Sequence, residues 1–347
     1  MLTKLIIENY KSIEKAELEF SKINLLIGPN GSGKSSMLES AEIMGFTKKY
    51  TSPTSAKVSS NRIIERLKGM AFFGNLVYNH ETTREILISG EFENSVISTI
   101  EVKLTQEQGE RKIIVQGSLG SSVDVEISRI LHILKANRKI ERRLHGVTAN
   151  VYNINTINAH QLFYYACYRT EFKDNIEMIR EFYSRYGLYD LRWVPTENQN
   201  EYEIIATTPE GVDVNLADAG AGLAALFPIV VALSFYPEGS TIFIEHPEMH
   251  LHPKLQYELA EFFLMVSEKR DYQLIIETHS EHLLYGLLNA VAQKRLEPEA
   301  LTVYSTRKEN GTSVFEKMTV HEDGSLEGNL SDFLEADIDA FLDWLKA

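Results

Sequence analysis

One short stretch, Gly28-Pro-Asn-Gly-Ser-Gly33-Lys34-Ser35, limits the folds open to this chain more than any other part of it. It matches G-x-x-x-x-G-K-[ST], a loop whose chemistry requires a strand before it and a helix after it. The glycines let the backbone curl until successive N–H groups face one anion. A following helix aims its positive N-terminal end at the same point. Lys34 then brings a mobile charge to the β- and γ-phosphates of a nucleotide, and the Ser35 hydroxyl is placed to ligate magnesium. The flanks agree. Residues 23–27 (INLLI) form an uninterrupted apolar run suited to a covered parallel strand, residues 2–8 read as a further strand, and Met37, Leu38, Ala41 and Met44 fall at helical spacing. The expected ligands are ATP and Mg2+. The binding residues are Asn30, Gly31, Ser32, Gly33, Lys34, Ser35 and Ser36, with Lys11 upstream.

Downstream the pattern alternates strand and helix: 241–245 (TIFIE), a helix over about 254–268, 273–278 (QLIIET), a helix over about 281–294, and 301–305. That alternation predicts an α/β fold, a P-loop NTPase with a parallel-sheet core. Short alternating runs at Ile86–Ile88, Val96–Leu104, Ile113–Val115 and Val123–Ile127 predict an antiparallel β subdomain. From 128 to 187 the pattern is mainly helical, broken by an expected strand at 162–167 (LFYYAC), and reads as an inserted lobe. The expected organisation is therefore 1–127 as the N-terminal part of the core with its β subdomain, 128–187 as the lobe, and 188–347 as the rest of the core. An amphipathic helix over 331–346 closes the chain, with Asp332, Glu335, Asp339 and Asp343 along a solvated face.

A magnesium site needs a carboxylate at the end of a neighbouring strand, and Glu245, which ends TIFIE, meets that need together with Ser35. His279 stands after the next strand, where open α/β sheets keep their ligand sites, and is expected to sense the γ-phosphate. His246, His250, His252, His279 and His282 are five of the ten histidines, so His250-x-His252 with Glu248 offers a weaker metal-site alternative.

Composition narrows the setting. The net charge of −14 argues against a surface that coats nucleic acid throughout. The longest largely apolar stretch, Leu223–Tyr236, contains Pro228 and is shorter than the roughly 20 residues of a membrane helix. A single cysteine, Cys167, excludes an internal disulfide and fits a reducing interior, so the expected location is cytoplasmic, without a membrane.

The stretches IENYKSIEKAELEFSKINLLIGPNGSGKSS, FFGNLVYNHETTREI, NLADAGAGLAALFPIVVAL, TIFIEHPEMHLHP and IIETHSEHLL, in this order, resemble the ABC-type ATPases of the SMC and RecF group. The likeness is greatest to stand-alone ATPases related to the overcoming-lysogenisation-defect (OLD) family. The resemblance implies a head that forms a homodimer around two ATP molecules, one subunit's phosphate loop facing the other's signature motif. That signature aligns with Leu216–Gly220, which adds Asp218 and Gly220 to the nucleotide-binding set. Three departures stand out. Asp218 replaces a serine, His252 lies where the D-loop aspartate is expected, and His246 follows Glu245 at the place of the water-orienting glutamate. The expected catalytic set is Glu245, His246, Glu248 and His279, with His246 or Glu248 as the base. OLD proteins often carry a Toprim nuclease domain; this chain is expected to lack one, so that any effector would be a separately encoded protein.

Lys135, Arg138, Lys139, Arg142 and Arg143 follow helical spacing and predict a basic stripe, either a solvated face or a contact for DNA. Arg169 is a further candidate for facing the nucleotide. The function expected is an ATP-binding and ATP-hydrolysing switch for a DNA-related partner in repair or anti-phage defence. The alternative is a nucleotide-gated scaffold with little hydrolysis, and a transporter subunit is disfavoured by the altered signature.

Overall fold

The structure is a computed structural model that describes residues 1–45, 47–49, 56–58, 76–81, 83–93, 96–107, 110–120, 130–136, 145–146, 159–197 and 201–329. Its N-terminal half contributes β1 (Leu2–Tyr10), β2 (Ile13–Glu19), β3 (Ile23–Ile27), α1 (Lys34–Met44), β4 (Ile86–Phe92), β5 (Val96–Glu107), β6 (Glu110–Gly120) and β7 (Leu131–Leu134). There follow α2 (Ala159–Cys167), α3 (Lys173–Ser184), α4 (Ala221–Phe235), β8 (Thr241–Glu245), α5 (Pro253–Lys269), β9 (Gln273–Glu277), α6 (Glu281–Ala292), β10 (Leu301–Glu309) and β11 (Thr312–Val320).

The central sheet runs β11-β10-β3-β9-β8-β7, with the short strand Leu326–Glu327 beyond β11. All neighbours from β10 to β7 are parallel, and β11 pairs antiparallel with β10. The strands of this core are apolar on both faces because both faces are covered. Along β3, Ile23, Leu25 and Ile27 enter one core while Leu26 enters the other. The same alternation puts Ile242, Ile244, Leu274 and Ile276 in the first core and Phe243 and Ile275 in the second. Helices α2 to α6 line the first core, and α1 with the antiparallel sheet β2-β1-β4-β5-β6 closes the second. Helix α4 is buried along most of its length, and its all-apolar sequence follows from that position.

Two expectations fail locally. Residues 162–167 belong to helix α2, not to a strand. Its buried residues Ala159, Leu162, Phe163 and Ala166 repeat at helical spacing, and aromatic strand propensity yields to that packing. Conversely, Leu131–Leu134, expected on a basic helix, is strand β7, parallel to β8, with Ile133 beside Phe243 in register. So short an apolar run fits either period. Lys135 therefore follows a strand, and its ammonium is paired with Glu42 at 2.9 Å. Arg138, Lys139, Arg142 and Arg143, the run 123–127 and the segment 331–346 lie outside the described residues. Among the described residues no helix is long and apolar enough to cross a membrane.

Cys167, at the end of α2, is half-buried, and burial pushes its thiol up to about 11 against the pull of Arg180. Its thiolate fraction at pH 8 falls accordingly. Reaction with a disulfide reagent such as DTNB is expected to be on the order of a hundredfold slower in the native protein than in denaturant. Equal rates would show that the site is open.

Candidate functional site

The phosphate loop leaves β3 at Gly28 and enters α1 at Lys34, so the strand–loop–helix context required of it is present. Its conformation depends on the strand next door. Gly28 has φ +142°, and a Cβ there would collide with the backbone carbonyl oxygen of Thr306 on β10. Thr306 also fastens the loop from behind. Its hydroxyl donates to the Ile27 carbonyl at 2.7 Å and lies 2.9 Å from the Ser32 hydroxyl.

A cavity of about 530 Å³ opens over this loop. Asn30, Gly31, Ser32, Gly33, Lys34, Ser35 and Ser36 line it, as does Lys11, whose ammonium pairs with Glu39. His246 and His279 reach it from the ends of β8 and β9. The structure thus brings together most of the residues singled out from the sequence. It adds a wall that sequence reasoning missed: Ser12, Tyr78, Asn79, His80, and Lys308, Asn310 and Gly311 from the β10–β11 turn. That turn carries its own signal. Asn310 and Gly311 have φ 50° and 87°, the left-handed pair of a tight hairpin, and Asn-Gly between alternating runs is the strongest short-range mark of one.

Lys34 is buried and points back into its loop, donating to the carbonyls of Gly28 and Pro29 at 2.8 and 2.9 Å. Burial pulls its ammonium down to about 8, opposed by the charges of Glu277 and Glu248. Helix α6 begins immediately after His279, with the Ser280 hydroxyl accepting from the Leu283 N–H at 3.0 Å, a cap worth about 1 kcal/mol. The cap sets the exit of β9 and so the position of His279.

The two imidazoles stack, with ring centroids 4.9 Å apart and 10° between planes. Burial, helped by the charges of Lys34 and His246, pulls His279 down to about 4, so it is neutral at pH 7. His246 is pushed the other way, first by its interaction with Glu248 and then by the charges of Glu277 and Glu248. It has φ 42°, an uncommon backbone for a side chain of its size, and its N–H donates to the Glu277 carbonyl at 2.9 Å.

The carboxylates occupy places that strand order decides. Glu248 does not line the cavity: it accepts the His279 N–H at 2.9 Å and lies 3.5 Å from Nδ1 of His246. Burial pushes its carboxyl up, but those contacts outweigh burial and hold it below the usual range. Its position buttresses the histidines. Glu245 also lies off the cavity, accepting the Ala136 N–H at 3.1 Å. The carboxylate that does line it is Glu277, the last residue of β9, which accepts the Ser35 hydroxyl at 2.7 Å. Burial pushes the Glu277 carboxyl up, opposed by Ser35, His246 and Lys34. A glutamate ending an otherwise apolar strand was the available signal for it.

Asp218 and Gly220 stand apart from this cavity, exposed at the turn that starts α4. Arg169 is exposed, pairs with Glu171 at 3.2 Å and does not line the cavity. The Nδ1 of His252 caps α5 by accepting the Lys254 N–H at 3.3 Å. Among the described residues no group of three or more His, Cys, Asp or Glu is gathered as metal ligands, and His250, His252 and Glu248 do not converge in this arrangement.

Comparison with known proteins agrees with this geometry. The head of an SMC protein solved with the C-terminal winged-helix domain of ScpA superposes with TM-score 0.58 at 15% identity, covering 92% of this chain and 98% of that one. An SMC head from Pyrococcus furiosus, carrying an extended coiled coil and bound to ScpA, gives 0.51 at 12% identity, covering 100% and 99%. At these identities the likeness shows the fold: an α/β P-loop ATPase head of the ABC type. In sequence, the DNA replication and repair protein RecF of Phocaeicola vulgatus is 46% identical over 54 residues, 15% of each chain. RecF of Yersinia enterocolitica is 29% identical over 131 residues, 38% of this chain and 30% of the relative, so the chain spans under a third of that relative. The family described as "AAA domain, putative AbiEii toxin, Type IV TA system" matches residues 23–284, more than half of the chain. Because that match runs from the strand before the phosphate loop to the helix after His279, the chain belongs to this AAA-domain family.

Proposed function

We propose that the protein is an ATP-driven dimerisation switch that controls a DNA-related partner. The observation that carries this reading is the phosphate loop facing one cavity with Lys34, Ser35, His246 and His279 at its edge, while Gly220 lies exposed elsewhere. The loop's N–H groups and the N-terminus of α1 would bind the phosphates, with Lys34 turning from its own loop carbonyls to the β- and γ-oxygens. Neutral His279 is placed to meet the γ-phosphate or the attacking water. His246, held between Glu248 and Glu277, is the group at the cavity that can take a proton from that water. Gly220 of a second copy would complete the site across the nucleotide.

The site fits Mg2+ on one structural ground: beside the Ser35 hydroxyl lies a buried carboxylate oxygen, Oε2 of Glu277, without a hydrogen-bond partner among the described residues. When bound, the ion would neutralise charge gathering on the transferred phosphoryl group. A DNA-related output is supported by the RecF likeness, and the effector would be a separate polypeptide. Kinship to the OLD-related ATPases, a cytoplasmic location and the lobe over 128–187 belong to the same reading. Light scattering with the non-hydrolysable analogue AMP-PNP and Mg2+ tests it. The mass is expected to double, and an unchanged mass would remove the switch.

A second reading, a nucleotide-gated scaffold, is favoured by one observation. Glu248 is committed to His279 and His246 and does not line the cavity, and the cavity glutamate, Glu277, is engaged by Ser35. Doubling of mass without steady-state phosphate release above background would select the scaffold.

A further inference from the structure

We propose that Glu277, and not the strand-end Glu245, supplies the carboxylate of the Mg2+ position. The assignment rests on the ATP-binding reading above. Strand order is the first argument. β9 lies between β3 and β8, with Glu277 in register with Leu26 on one side and with Glu245 on the other. Glu277 and Glu245 share the face of the sheet that bears α1, since each follows Ile275 or Phe243 by two residues. Glu277 is therefore one strand spacing, about 4.8 Å, closer to the phosphate loop, and it stands between Glu245 and Ser35.

Hydrogen bonding is the second argument. The hydroxyl placed to ligate the ion already donates to Oε1 of Glu277 at 2.7 Å, whereas Oε2 of Glu245 is engaged by the Ala136 N–H at 3.1 Å. Desolvation is the third. The Glu277 side chain is only 2% exposed, and its Oε2 has no partner among the described residues. His246 Nε2 approaches Oε1, not Oε2, at 3.4 Å. Burying a carboxylate oxygen unpaired is costly, and a hard divalent cation that prefers oxygen ligands removes that cost. A carboxylate that merely held Ser35 in place would not need its second oxygen buried without a partner.

The test compares nucleotide affinity with and without the metal, using mant-ATP fluorescence in Mg2+ or in EDTA on the full chain. In wild type, Mg2+ is expected to tighten binding. In Glu277→Gln the tightening is expected to fall by at least about tenfold, as for lost metal partners generally. Affinity in EDTA is expected to stay equal or improve, because a negative charge near the phosphates is gone. Glu245→Gln should keep the full tightening. Mn2+ offers a second readout. Against a control of Mn2+ with ATP alone, wild type should change the Mn2+ EPR spectrum further, and Glu277→Gln should match the control.

Full metal-dependent tightening in Glu277→Gln, or its loss in Glu245→Gln alone, would overturn the assignment. So would an equal change in Mg2+ and in EDTA, which would make Glu277 a counter-ion of Lys34. Should Glu277→Gln not fold, Glu277→Asp keeps the charge but withdraws it by one methylene. Partial loss of tightening is then expected, and none would refute the proposal. Failure of the parent reading looks different: wild type would not bind mant-ATP in either buffer.

Discussion

Replacing Lys34 by alanine is expected to weaken Mg2+·ATP binding by roughly 10- to 100-fold, the worth of one or two charge-assisted hydrogen bonds, and to bring ATP turnover to background. The ammonium is buried among the carbonyls of Gly28 and Pro29, with the Ser32 hydroxyl 3.4 Å away, so the loop itself holds it ready at the cavity. Alanine removes the donor and leaves two carbonyls pointing at nothing. The loop therefore also loses stability, by about 1–3 kcal/mol if those oxygens stay dry. Isothermal titration with ATP, phosphate-release kinetics and a urea melt separate the two effects. Wild-type affinity in the variant would exclude Lys34 from phosphate binding.

Gly28→Ala is expected to destabilise the fold by roughly 2–5 kcal/mol, read as a fall in the urea midpoint with unchanged slope. Two costs add at this position. Its φ of +142° is strained for any side chain, and the new methyl would press on a backbone carbonyl, that of Thr306, which has no rotamer to escape into. Gly31→Ala supplies the comparison. Gly31 also has positive φ, at +75°, but a Cβ there meets nothing within 4 Å, so only the backbone cost of about 1–2 kcal/mol applies. Equal losses in the two variants would show that close packing of the loop on β10 is not what requires glycine at 28.

Much of the core was legible because its signals are local. An apolar run bounded by the glycine loop marks β3, the spacing of Met37, Leu38, Ala41 and Met44 marks α1, and TIFIE and QLIIE stand out as strands between helices. The stretch LFYYAC was misread because aromatic residues suit strands when viewed alone, whereas here Phe163 lies on the buried side of α2 with Leu162 and Ala166, edge-on to Phe227 of α4 at 5.5 Å. The hairpin at Asn310-Gly311 carried an adequate sign, but its importance as a cavity wall did not lie in that sign. Ser313 reaches Ser12 across 301 residues of sequence, hydroxyl to hydroxyl at 2.7 Å.

The candidate site divides the same way. By itself the sequence marked Gly28–Ser35 as a phosphate loop flanked by β3 and α1, and placed Glu245, His246, Glu248 and His279 at or just beyond the ends of the strands that follow. Each is a property of a few consecutive residues and their periodicity. Only the tertiary structure decided which carboxylate meets Ser35, because that depends on β9 lying between β3 and β8, and strand order is set by the packing of both sheet faces at once. The same global packing turned Glu248 toward the His279 N–H and pressed Thr306 against Gly28. Local chemistry thus marked the loop, and the order of the strands chose which residues face its cavity.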